Sequence, residues 1–153
     1  MAEVRFYHLT STSLENALPS LLEKVVQRNW QALIFTTSRE KVSELDTHLW
    51  TYKPNSFLPH GTINEQDFQA QPILLTHKDE KPNDANILFL INGAKSQHVG
   101  LFRLCCLLFD GNNSGELNYA REEWLSLKNE GHELTYWHQD PQGKWSEKRS
   151  LDT

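Results

Sequence analysis

Cysteine is nearly absent from this 153-residue chain: there are two, side by side at Cys105 and Cys106 in the run "LCCLLF". A disulfide between neighbours is strained and a metal site needs spaced ligands, so the pair reads as buried thiols in a core strand. Long apolar runs are missing too; none approaches the roughly 18 residues that suggest a membrane span. The opening residues, "MAEVRFYHL", lack the charged and apolar blocks of a secretory signal, and a cytoplasmic location is the expectation. Cations are in deficit: 15 Lys and Arg face 20 Asp and Glu, for a net charge of −5. A protein that grips phosphates shows a clustered cationic excess, and here the basic residues are scattered. Direct nucleic-acid binding is therefore disfavoured, and so is a membrane role.

The common catalytic signatures are absent as well. No G-x-x-x-x-G-K-[ST] or G-x-G-x-x-G offers glycine amides to a nucleotide phosphate, and no H-E-x-x-H, C-x-x-C or G-x-S-x-G occurs. No cofactor is expected. Among seven histidines, His132 and His138 have suitable spacing for one strand face but no third ligand nearby, so surface or hydrogen-bonded roles are favoured. Asn92-Gly93 and Asp110-Gly111 fall at the ends of candidate strands, where both pairs are strong turn formers. An α/β hydrolase or nucleotide-dependent transferase using Asp110 and a histidine stands as the alternative.

What is present is a regular alternation of elements. "VRFYHL" (Val4 to Leu9) reads as a strand, and Leu14, Leu18, Leu21, Leu22 and Val25 follow at helical spacing. Thr12 and Glu15 have capping-box spacing, but Pro19 implies either a kink or a later helix start. "ALIFTT" (Ala32 to Thr37) suits a strand buried on both faces. A second helix carries Val42, Leu45 and Leu49, with Thr37 and Glu40 as its box. Three more apolar runs follow: "PILLT", "NILFLI" and "FRLCCLLF". The polar loop "HKDEKPNDA" lies between the first two. A third helix is expected from about Ser114 to Glu130, stopped by Gly131. "ELTYWHQDPQGKWSEK" closes as two short strands around Asp140–Gly143. With 38% apolar and 23% charged residues, this is one globular α/β domain over 1–153. Its sheet should be mostly parallel and about five-stranded, with a C-terminal hairpin-like extension. The strand order is not legible.

Two surfaces look suited to binding. Each helical residue advances about 100°, so Leu117, Ala120, Trp124 and Leu127 form an inward stripe on the third helix. Arg121, Leu125 and Lys128 line one edge of it. Two cations beside apolar surface could hold a peptide that offers a carboxylate and an apolar side chain; otherwise their stems simply cover the stripe. The second surface is "LDTHLWTYKPNSFLPHG" (Leu45 to Gly61), where Trp50, Tyr52 and Phe57 sit among Pro and Gly that should form a loop. Core packing and a partner surface are equally open for Trp50 and Phe57.

That segment, with its L-D-x-x-L-W and P-x-S-F-x-P-H pattern, resembles the characteristic stretch of the chi subunit of bacterial DNA polymerase III. The likeness extends through "FY" near the start, "PNDANILFLINGA", "LFDG", Ala120-Arg121-Glu122 and "GHELTYWHQD". The resemblance implies a three-layer α/β/α fold and an accessory, non-catalytic subunit of the clamp-loader assembly. It also implies two partners, the psi subunit and the acidic C-terminal tail of single-stranded-DNA-binding protein, with DNA reached only indirectly. By position, Trp50 and Phe57 fall on the psi-facing surface. Arg121, Trp124, Leu125 and Lys128 fall at the tail site, where some relatives carry lysines in place of Leu117 and Leu125.

Overall fold

The computed structural model describes residues 2–52, 59–62, 71–81 and 84–148. Among these residues three α-helices and eight strands follow one another in the order β1 (Glu3–Leu9), α1 (Leu14–Gln27), β2 (Ala32–Phe35), α2 (Arg39–Thr51), β3 (Gly61–Thr62), β4 (Ile73–Thr76), β5 (Ile87–Leu90), β6 (Leu104–Asp110), α3 (Ser114–Asn129), β7 (Glu133–Gln139) and β8 (Trp145–Lys148), with a short 3-10 helix (Val99–Leu101) before β6. All eight strands join a single sheet in the order β3-β4-β2-β5-β6-β1-β7-β8. Every pairing is parallel except β7 with β8.

The sheet is thus larger than the five strands expected. The C-terminal hairpin is not an appendage, because β7 pairs in parallel with β1 from Glu3↔Glu133 to His8↔His138. β3 escaped the sequence reading because two residues, Gly61 and Thr62, cannot show alternation.

Side chains alternate across the strands, which divides the core into two layers. Val4, Phe6, Cys105, Leu107 and Phe109 point to the face covered by α3, where they meet Tyr119, Ala120 and Leu127. Tyr7, Leu9, Cys106 and Leu108 point to the other face, against Leu18, Leu22, Val42 and Leu49 of α1 and α2. The two cysteines, both free and buried, therefore face opposite sides of the sheet. Burial pushes the Cys106 thiol up to about 12 and raises that of Cys105 as well, so both behave as small apolar side chains.

Both early helices begin one residue later than their spacing suggested. Ser13, not Thr12, caps α1 by accepting the Asn16 N–H at 3.3 Å. Ser38, not Thr37, caps α2 through the Lys41 N–H at 3.2 Å. α1 nevertheless runs through Pro19 from Leu14 onward. Proline deprives the Glu15 carbonyl of its usual donor four residues on, and His48 Nε2 of α2 supplies one at 2.5 Å. Since a carbonyl only accepts, this ring's proton sits on Nε2.

Candidate partner-binding surface

α3 is built as its sequence implied. Asn113 caps it by accepting the Glu116 N–H at 3.0 Å, and Gly131 ends it at φ +90°. Ala120 and Leu127 are buried against the sheet with Tyr119, whose hydroxyl donates to the Ala94 carbonyl. Trp124 is half-buried and meets Phe6 edge-on, with ring centroids 5.0 Å apart. It therefore belongs chiefly to the wall of the surface rather than to its exposed part.

Arg121, Leu125 and Lys128 stand together on the outer edge of the helix. Arg121 and Lys128 are exposed, and Leu125 keeps 63% of its surface in solvent. Among the described residues neither cation has a salt-bridge partner. Among the described residues, Leu125, Leu101 and Trp50 are the large apolar side chains left exposed. Beside α3 the floor is formed by β1 and β7, where His8 Nδ1 is hydrogen-bonded to the Tyr136 hydroxyl. The imidazoles of His8 and His138 lie 5.2 Å apart, edge to face. Burial, then the neighbouring His138, hold His8 below the usual histidine range; Asp110 opposes this and Arg121 adds to it.

The aromatic segment is partly corrected. α2 continues to Thr51, so Trp50 stands on a helix rather than in a loop. Half of Trp50 is exposed, and its ring centroid lies 4.4 Å from that of His60. Tyr52 packs inward and its hydroxyl donates to Glu23 at 2.6 Å. Phe57 lies outside the described residues.

The carboxyl ends of the strands are where open α/β sheets ordinarily receive ligands. A cleft of about 500 Å³ opens there, lined by Thr10, Ser11, Thr12, Lys41 and Asp110 among others. Three of its backbone donors are engaged by one side chain. The N–H groups of Thr10, Ser11 and Thr12 converge on Gln139 Oε1 at 3.0, 3.1 and 3.3 Å. Gln139 is itself buried, and its Nε2 donates to Thr12 Oγ1 at 2.8 Å. Asp110 is a turn residue, accepting the Asn112 N–H at 2.9 Å. Three amides of the cleft and one oxygen of Asp110 are thus committed internally. Sequence reading missed Gln139, His8 and Tyr136, because nothing local marks a residue whose partner lies some 128 positions away.

The family model for the DNA polymerase III chi subunit, HolC, matches residues 1–135. A relative from Rickettsia prowazekii (strain Madrid E), described as a probable DNA polymerase III subunit chi, is 32% identical over 92 residues. That alignment takes in 60% of this chain and 56% of the relative, so the chain matches little more than half the relative's length.

Proposed function

The chain belongs to the DNA polymerase III chi subunit family, and from that premise we propose that it is an accessory subunit of the polymerase III holoenzyme that docks other polypeptides and performs no chemistry of its own. One face, around Trp50 and Phe57, receives the psi subunit and through it the clamp loader. The other, along α3, holds the acidic C-terminal tail of single-stranded-DNA-binding protein, so the polymerase is tied to the coated lagging strand. DNA itself is reached through these partners.

The observation that carries this reading is the exposed edge of α3. Burying the exposed leucine against a partner is favourable, and the two cations beside it, without salt-bridge partners among the described residues, can pair with that partner's carboxylate. Arg121 pairs with the tail's terminal carboxylate, Lys128 adds charge, and Leu125 with the edge of Trp124 receives the last apolar side chain. Leucine at 117 and 125, where some relatives have lysine, shifts the balance from charge towards apolar contact.

A labelled peptide copy of such a tail, titrated by fluorescence anisotropy, tests the reading. Arg121→Ala should weaken binding about tenfold or more, the loss of one charge-assisted contact. Raising the salt should weaken wild-type binding as well. Equal affinity for both proteins would remove Arg121 from the site. The enzyme alternative predicts that nucleotides or divalent cations raise the melting temperature; the docking reading predicts no shift.

A further inference from the structure

Beside Arg121 the sheet presents a group of side chains that the tail-binding reading leaves unused. His8 and His138 are direct neighbours in the parallel pairing of β1 with β7. Strand alternation puts both on the α3 face with Phe6 and Tyr136. Their surroundings fix the His8 ring. Tyr136 is hydrogen-bonded to its Nδ1, and Phe109 packs against it with centroids 4.8 Å apart. Gly111 closes the far side: a Cβ built there would lie 1.8 Å from His8 Nε2. Both rings are partly exposed; His138 sits opposite Ser146 of β8, with Lys148 of that strand opposite Tyr136.

The charges on this patch are unbalanced. The charged and titratable groups that act on His8 are His138, the Arg121 guanidinium and the Asp110 carboxylate. Asp110 is held in the turn after β6 by the Asn112 N–H, and the Tyr136 hydroxyl is neutral, its ionisation pushed up by burial. A second proton on this patch is therefore costly until an anion arrives.

We propose that His138, backed by His8, belongs to the anion-binding surface beside Arg121, so that seating a carboxylate there is coupled to uptake of a proton by the histidine pair. The inference rests on the tail-binding reading and adds its regulation. Linkage gives the sign. An anion that raises the pair's affinity for a proton must bind more tightly once that proton is present. Without the anion, His8 acts in the opposite sense. Its depressed value favours the neutral form, so its contribution to stability is complete above the ordinary histidine range and is lost as the pH falls through that range.

The test is a pH series with the full chain and an acidic peptide of Asp and Gly ending in Phe with a free carboxylate, bearing a pH-insensitive dye. Its carboxylates stay ionised from pH 7.5 to 5.5, with ordinary values near 4. One linked proton can change affinity at most about tenfold per pH unit. The expected outcome is wild-type affinity rising about three- to tenfold across the series, and His138→Gln and the His138→Gln/His8→Gln pair flattening that rise. Tight binding with no pH slope, or a slope that survives in the double variant, overturns the coupling while leaving the docking surface intact. No binding at any pH overturns the tail-binding reading, and the coupling falls with it.

Discussion

The loop after β1 and the outer edge of α3 lie in the same domain and have opposite characters. At the loop, three consecutive amides close around Gln139, a side chain only 3% exposed. Along α3, Leu125 and two cations are left in solvent. The first place is where an α/β sheet usually meets its ligand, and here the protein meets it with its own glutamine. At the second, neither cation has a salt-bridge partner among the described residues. Internal satisfaction holds the fold together at the first place, and the exposed groups at the second are those the docking proposal uses.

The contrast can be broken most forcefully at Gln139. Gln139→Ala should leave backbone donors without an acceptor and unpin β7 from the β1–α1 loop, costing about 3 kcal/mol. At this chain length that lowers the melting temperature by roughly 6–12 °C. Gln139→Glu keeps an acceptor for the amides and should recover part of the loss. A melting temperature unmoved by Gln139→Ala would mean the loop needs no internal acceptor, and the contrast would collapse.

Gly111→Ala tests the packing over His8 and should cost about 2 kcal/mol. The ring is held by Tyr136 and Phe109 and cannot simply swing aside, so the added methyl overpacks the site. Chemical denaturation would measure the change, and retention of wild-type stability would show that the ring is free to move. The smallest effect belongs to the exposed edge. Leu125→Ser should change stability by less than about 0.5 kcal/mol while weakening tail-peptide binding severalfold. A large drop in stability instead would place Leu125 among the structural residues.

Much of the fold was legible. Seven of the eight strands announced themselves as apolar or alternating runs, and α3 was found with its bounds, stop and inner stripe nearly as observed. The helix caps at Thr12 and Thr37 were misplaced by one residue because each stands beside a serine, and backbone geometry selects which hydroxyl reaches the third amide. Trp50 was read as entering a loop because Pro54 is close behind; the helix instead persists to Thr51. Helical period alone put Arg121, Leu125 and Lys128 on one edge of α3, where all three are exposed, since an edge position depends only on the turn angle.

By itself the chain's pattern determined its elements, its α/β class and the exposed row on α3, because periodicities of 2 and 3.6 act over a few neighbouring residues. Tertiary structure alone decided that β7 lies beside β1. That single parallel pairing carries Gln139 to the amides of Thr10, Ser11 and Thr12 and sets His138 next to His8. Parallel neighbours arrive through long crossovers, and a contact made across nearly the whole chain leaves no trace in the residues on either side of it.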